Sequence, residues 1–195
     1  MTGSLVAIVY GDGARADALL HAVAAALARE GRVVTGLLPH AVQRPGRSRC
    51  DMVLEDPRSG ERIRISEDRG EMARGCRLDL GELLRAGELV RRALDDRPDL
   101  VIVNKFGKSE AEGGGLRDVL AEIAAAEIPL LIAVPRRNLD AWRRFTGGDA
   151  VEIDLDAGPA ESDGALAAVT AVLAAVTAVL EDRGSSVRPV EAPVC

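Results

Sequence analysis

The stretch Asp99-Leu-Val-Ile-Val-Asn-Lys-Phe-Gly-Lys108 decides the fold, because an apolar run ends there abruptly in polar residues. An uninterrupted apolar run between turn signals is typical of an interior strand of a parallel sheet. In open α/β sheets, ligands bind at the carboxyl ends of such strands. Lys105 and Lys108 stand at that end and are the only lysines of the chain. We therefore predict that Asn104, Lys105, Lys108 and Glu110 belong to a ligand site. The alternative is a solvated loop that happens to be basic.

A second feature is a glycine-rich turn near the start of the chain. The apolar run Leu5–Tyr10 leads into Gly11-Asp-Gly-Ala-Arg-Ala-Asp-Ala18, after which a helix is expected. Strand, glycine-rich turn and helix is the arrangement of a phosphate-binding loop with the pattern G-x-x-x-x-G-K-[ST]. Aligned from Gly11, Asp17 replaces the phosphate-binding lysine and Ala18 replaces the Mg²⁺-binding hydroxyl. The sequence therefore predicts a first βα unit of this kind, but a weak phosphate loop.

The rest of the chain alternates between predicted strands and helices. This order predicts an α/β protein with a doubly wound, mainly parallel sheet. We expect a single domain over residues 1–183 and a flexible tail over residues 184–195, which is rich in Ser and Pro. The predicted helices are 17–30, 79–94, 116–126, 139–145 and 164–183, and the further predicted strands are 32–38, 128–134 and 150–153.

One segment departs from this alternation. Cys50–Glu55 and Glu61–Ser66 each alternate between apolar and polar residues, and the turn Asp56-Pro-Arg-Ser-Gly60 separates them. Two alternating segments joined by a Pro/Gly turn predict an antiparallel hairpin inserted into the chain. Within it, Arg62 and Arg64 should share one face.

Composition limits the possible partners. The net charge of −6 leaves no basic footprint for nucleic acid, and aromatic residues, at 2%, are too scarce for base-stacking platforms. No apolar span with membrane flanks and no cleavable leader is apparent, so we expect a cytoplasmic protein that does not bind membranes. The oligomeric state is not indicated. Three cysteines, an odd number without a C-x-x-C motif, do not suit a secreted disulfide framework.

The motifs resemble a bacterial family of unknown function that is commonly linked to molybdate-transport gene neighbourhoods. The resemblance rests on Val103-Asn-Lys-Phe-Gly-Lys-x-Glu-Ala-Glu-Gly113, together with Arg49-Cys-Asp-Met52, Gly75-Cys-Arg-Leu-Asp79 and Val134-Pro-Arg-Arg-Asn-Leu-Asp-Ala-Trp142. More distantly, the chain is similar to the thermophilic-type branch of P-loop nucleoside triphosphatases. There the equivalent strand ends in Asp-Glu-x-Gly-Lys, where this chain has Asn104-Lys-Phe-Gly-Lys108. The resemblance implies a nucleotidase-like fold without an established activity.

We expect the ligand site to combine the exits of several strands. A second polar strand exit, Pro135-Arg-Arg-Asn138, adds to the one that begins at Asn104 and to the glycine-rich turn. The expected ligand is a small anion, either an oxyanion or a nucleotide that brings Mg²⁺. The predicted ligand-binding residues are Gly11, Asp12, Gly13, Arg15, Asn104, Lys105, Lys108, Glu110, Arg136 and Asn138. Because the phosphate-loop lysine and the paired acids are missing, the sequence favours a binding or accessory protein. The alternative is an active phosphohydrolase or nucleotide transferase with rewired residues, and catalytic residues are not assigned.

The sequence suggests two further candidate sites, each with an alternative interpretation. Arg44, Arg47 and Arg49 form either a solvated basic loop or an anion clamp, since guanidinium groups suit tetrahedral oxyanions. Cys50, Cys76 and His40 could hold a metal ion, or the two thiols could form a redox site, although both thiols could equally be inert.

Overall fold

The computed structural model describes residues 4–42, 51–67, 77–157 and 162–186. In these ranges the chain forms two sheets of β-strands, one of seven strands and one of two. The strands are β1 Leu5–Tyr10, β2 Val34–Val42, β3 Asp51–Glu55, β4 Arg62–Arg64, β5 Ser66–Glu67, β6 Arg77–Leu78, β7 Leu100–Asn104, β8 Leu130–Pro135 and β9 Val151–Asp154. The helices are α1 Gly13–Arg29, α2 Leu80–Leu94, α3 Lys108–Ala111, α4 Arg117–Ala125, α5 Leu139–Thr146 and α6 Ser162–Ser186, with a 3₁₀ turn at Arg136–Asn138.

The main sheet has the order β4-β3-β2-β7-β8-β1-β9, and its five strands from β2 to β9 are parallel. Strands β7, β8 and β1 lie in its interior and are almost entirely buried, as the apolar runs predict. The predicted doubly wound, mainly parallel sheet is therefore confirmed.

Helices cover both faces of the sheet. Alternate residues of β1 divide between two apolar clusters, because successive strand residues point to opposite faces. Val6 and Ile8 pack with α1 and α6, whereas Ala7 lies in the cluster that contains α2, α4 and α5. Trp142 of α5 is fully buried against Phe106, with 5.3 Å between the ring centroids, so this tryptophan serves the core.

The predicted hairpin is present and extends the sheet. Its first strand, β3, pairs antiparallel with β2 from Leu38↔Glu55 to Val42↔Asp51. This pairing explains why β2 continues to Val42, beyond the predicted end at residue 38. Arg62 is exposed and Ile63 is buried, as the alternation predicts.

The buried carboxylate of Asp56 links the hairpin to β2 by hydrogen bonds. It binds near the start of β2, away from the edge at which the parallel strands have their carboxyl ends. Asp56 accepts hydrogen bonds from Thr35 Oγ1 at 2.8 Å and from Gly36 N at 2.9 Å. It also accepts hydrogen bonds from Ser59 N and Oγ, at 3.0 and 2.7 Å. Burial alone would raise the pKa of Asp56, but the hydrogen bonds from Ser59 and Thr35 outweigh that effect and lower it.

The long helix α6 closes one face of the sheet. Val172 and Val176 are fully buried in the cluster with α1. Among the helices of the described ranges, none has both the length and the hydropathy to cross a bilayer. The helix runs to Ser186, three residues past its predicted end. The division into a domain over residues 1–183 and a tail over residues 184–195 stays a prediction.

Candidate functional site

The carboxyl ends of four adjacent parallel strands meet at one edge of the sheet. Tyr10 ends β1, Asn104 ends β7, Pro135 ends β8 and Asp154 ends β9. The turns that follow these strands carry most of the predicted ligand residues. This edge is therefore the candidate site.

The turn after β1 is too short to wrap around a phosphate chain. Only Gly11 and Asp12 separate the strand from α1, which begins at Gly13. Asp12 caps the helix, because its Oδ1 accepts a hydrogen bond from Ala14 N at 3.0 Å. A carboxylate thus occupies the helix N-terminus, the place where a phosphate loop binds its anion.

Asp17 and Asn104 connect α1 to the end of β7. Asn104 Nδ2 donates a hydrogen bond to Asp17 Oδ1 at 2.8 Å. Burial raises the pKa of Asp17, and the hydrogen bond from Asn104 and the charge of Lys105 offset only part of that shift. The side chain that replaces the phosphate-loop lysine is therefore engaged with the strand end.

Tyr10 supplies a hydroxyl beside this pair. Burial raises its pKa to about 12, with the charge of Asp17 adding to the shift and that of Arg137 opposing it. The phenol is thus a protonated donor at neutral pH. Within the described ranges, Lys105 and Arg137 are exposed and neither forms an ion pair. The charge of Arg137 acts on Tyr10 and that of Lys105 acts on Asp17, so a hydroxyl donor and two cations lie at this edge.

Arg136, in contrast, is already paired. Its guanidinium donates hydrogen bonds to Asp154 Oδ2 at 3.0 Å and to Asp156 Oδ2 at 2.9 Å. These hydrogen bonds raise the pKa of Arg136, and that of Asp154 is lowered in return. A Cβ on Gly11 would lie 3.1 Å from Asp156 Oδ2, so glycine lets this cluster approach the first turn.

Three other predicted ligand residues already have partners within the protein. Glu110 is buried and accepts hydrogen bonds from Gly107 N and Leu116 N, both at 2.8 Å. Asn138 is also buried and donates to Phe106 O at 3.0 Å. Lys108 pairs with Glu112 at 3.6 Å. Glu110 and Asn138 thus shape the turn after β7 from within.

Arg15 lies elsewhere, against an apolar groove between α1 and α6. The groove has a volume of about 490 Å³. Its other described lining residues are apolar, namely Ala18, Leu19, Ala22, Leu155, Leu166, Ala168 and Val169. The structure therefore does not bring Arg15 into the group formed by Tyr10, Lys105 and Arg137.

His40 lies at the end of β2 in a small polar cluster. Its Nε2 is 3.2 Å from Glu55 Oε2, and its ring lies 4.9 Å from that of His21, which contacts Pro39 O. No group of three potential metal ligands occurs among the described residues. The proposed partners Cys50 and Cys76, and the arginine loop of Arg44, Arg47 and Arg49, lie outside the described residues.

Sequence reasoning missed two members of the site. Tyr10 could have been found as the last residue of β1 on the face that packs against α1. Arg137 belongs to the polar strand exit Pro135–Asn138, but no sequence pattern distinguishes it from Arg136. Only the carboxylates at Asp154 and Asp156, distant in sequence, decide which arginine is neutralised.

The fold is similar to that of a solved nucleoside triphosphatase. The structure resembles the solution structure of a human cancer-related nucleoside triphosphatase with a TM-score of 0.64. The match covers 94% of this chain and 99% of that one, at 17% sequence identity. At this identity, the likeness shows the fold alone.

Sequence comparison gives a relative and a family. Over 144 residues, 74% of this chain, the sequence is 38% identical to a Bradyrhizobium diazoefficiens protein named "Molybdenum import ATP-binding protein ModC 2". The matched part is only 16% of that protein. Residues 5–162 match a family described as "Protein of unknown function (DUF2478)". The chain therefore belongs to this family, as its motifs predict.

Proposed function

We propose that this chain is an accessory unit of molybdenum import that binds a small oxyanion and does not hydrolyse nucleotides. The observation that carries the proposal is the group of Tyr10, Lys105 and Arg137 at the carboxyl edge. Neither cation forms an ion pair in the described ranges, although the charge of Lys105 acts on Asp17, and the tyrosine hydroxyl makes no hydrogen bond there. A tetrahedral oxyanion accepts hydrogen bonds from both cations and from the hydroxyl.

The carboxylates at this edge oppose a hydrolytic role. Asp12 caps α1, Asp17 is bound by Asn104, and Asp154 and Asp156 hold Arg136. Each of these carboxylates is therefore engaged, whereas phosphoryl transfer needs carboxylates that hold Mg²⁺ and a cation on the phosphates. The short turn after β1 and the charge of Asp17 also disfavour a bound triphosphate.

The link to molybdenum comes from the relative. Its name describes an ATP-binding protein of molybdenum import, and a segment similar to this chain forms a small part of it. A unit that occurs within such a protein is suited to act beside the ATPase rather than as one. In this proposal, the ligand is molybdate or a chemically similar oxyanion.

Titration calorimetry of purified protein with molybdate, tungstate, sulfate, phosphate and MgATP tests the proposal. We expect molybdate and tungstate to bind more tightly than sulfate and phosphate, and ATP turnover to be absent. Lys105→Met and Arg137→Met should each weaken binding about tenfold, which corresponds to about 1.4 kcal/mol. Arg144→Met, at an exposed position of α5, is the matched control, and Lys108→Met reports whether the second lysine contributes.

Two results would reject the proposal. One is the absence of oxyanion binding by the wild-type protein, and the other is full affinity in both the Lys105 and Arg137 variants. ATP or GTP turnover of about 1 s⁻¹ or more, in the range of ordinary enzymes, would overturn the non-hydrolytic role.

A further inference from the structure

The groove between α1 and α6 is a cavity whose described lining is apolar except for Arg15. Its volume of about 490 Å³ falls within the range of small-molecule sites, about 300–1,000 Å³. Ala18, Leu19 and Ala22 supply the α1 side, and Leu166 and Val169 supply the α6 side. Leu166 is 71% exposed, so the groove opens to solvent beside this residue.

Arg15 is the charged residue of this groove. It is only partly exposed, and it forms neither an ion pair nor a side-chain hydrogen bond within the described ranges. Many of the other arginines are held by carboxylates, for example Arg91 by Glu122 at 2.8 Å and Arg143 by Glu152 at 2.6 Å. A partly buried guanidinium without a counter-ion bears a desolvation cost, which an anion placed beside it would offset.

We propose that this groove binds a small amphiphilic carboxylate, with the carboxylate on Arg15 and an aliphatic chain along α1 and α6. Among the described lining residues Arg15 is the one cation, which matches a single negative charge, and the apolar walls match a chain without polar groups. Burying the chain against these walls contributes roughly 0.8 kcal/mol per methylene. The site is separate from the carboxyl-edge group, since it uses neither Tyr10 nor the free cations Lys105 and Arg137.

Part of the groove lies outside the residues that match the family. The family match ends at residue 162, which is where α6 begins. One wall of the groove thus lies beyond the matched part of the chain. The proposed site is accordingly a feature of this chain and not one that the family match implies.

Calorimetric titration with sodium decanoate, below its micelle concentration, tests the proposal. Decanoate should bind, and decan-1-ol, which has the same chain but no charge, should bind at least tenfold more weakly. Arg15→Ala should lose at least tenfold in decanoate affinity. Arg29→Ala, an exposed position in the last turn of the same helix, should bind as the wild type does.

A second pair of variants tests the apolar part. Ala18→Phe places a ring in the groove from an exposed position, whereas Ala25→Phe adds the same ring at an exposed position outside it. The first should abolish decanoate binding and the second should not, with circular dichroism and melting temperature reporting that both variants fold. Absence of decanoate binding by the wild type, or equal affinity in Arg15→Ala, would overturn the proposal. A dimer that excludes decanoate and dissociates in Ala18→Phe would show instead that a second copy covers the groove.

Discussion

Asn104 Nδ2 donates a 2.8 Å hydrogen bond to Asp17 Oδ1 and joins the first helix to the end of an interior strand 87 residues later. In a phosphate loop, the residue at the position of Asp17 is a lysine that contacts the ligand. Here an acid and an amide satisfy each other instead. The replacement changes the sign of the charge beside the end of β7. Lys105 and Arg137 remain exposed to solvent.

Asp17→Asn should tighten oxyanion binding. The amide Oδ1 can still accept from Asn104, but the negative charge that repels the ligand is removed. A unit charge several ångströms from the ligand at an intermediate dielectric is worth on the order of 1 kcal/mol, so we expect about a fivefold gain in affinity. Calorimetry with molybdate at constant pH measures the change. Asp149→Asn, an exposed position in the turn after α5, should leave affinity unchanged, and a weaker-binding Asp17→Asn would contradict the proposed electrostatics.

The same variant has a pH signature in stability. Because the pKa of Asp17 is raised in the folded state, the folded protein holds that proton more tightly than the unfolded chain does. The wild type therefore loses stability as the pH rises from about 4 through the folded pKa, whereas Asp17→Asn does not. Urea unfolding from pH 4 to pH 8 should show the variant gaining on the wild type with rising pH. Parallel curves would mean that Asp17 does not titrate abnormally.

Most of the fold could be predicted from the sequence, because interior strands and amphipathic helices have characteristic patterns of apolar residues. The strand that ends at Asn104 lies within the quoted Asp99–Lys108 stretch, where the apolar run predicts it, and the hairpin lies where its alternation predicts it. The site could be predicted only in part, because ion pairs form between residues that are far apart in the sequence. Arg136 and Glu110 are residue types that often bind ligands. In the structure, however, Arg136 binds Asp154, and Glu110 accepts hydrogen bonds from the backbone of Gly107 and Leu116.

Asp56→Ala should strongly destabilise the hairpin junction. The substitution removes the acceptor for four hydrogen bonds, from Thr35, Gly36 and twice from Ser59, and leaves buried donors unpaired. We expect a loss of about 3–5 kcal/mol in urea unfolding. Thr35→Val, which removes one donor only, should cost about 1 kcal/mol. Equal losses for the two variants would contradict the central role of the carboxylate.

Acid should remove the contribution of Asp56. Its folded pKa is lowered, so the stability that ionisation provides is present above the unfolded pKa of about 4 and is lost as the pH falls through the folded pKa. The stability gap between the wild type and Asp56→Asn should therefore be full at pH 7 and shrink in acid. Unfolding curves collected at pH 7, 4 and 3 measure it, and a gap that stays constant would be the contrary result.

Gly36→Ala should prevent the central sheet from forming. Gly36 has φ +132°, and a Cβ there would lie 1.9 Å from Ile102 O, on the backbone of the neighbouring strand β7. A backbone atom cannot move away as a flexible side chain can, so we expect no soluble folded protein. Gly31→Ala is the control, because its φ is +76° but nothing lies within 4 Å of the added Cβ. It should cost about 1 kcal/mol and fold, and a folded Gly36→Ala would refute the described register between β2 and β7.

Glu110→Gln should affect stability but not the intrinsic affinity for the oxyanion. Both carboxylate oxygens of Glu110 accept backbone hydrogen bonds, from Gly107 N and Leu116 N, and an amide can replace only one of them. The other N–H would face the amide NH₂, at a cost of about 2–3 kcal/mol. Melting temperature and urea unfolding measure the loss, and molybdate titration well below the melting temperature measures the affinity. A tenfold change in affinity with unchanged stability would return Glu110 to the ligand site, where its position after the strand first placed it.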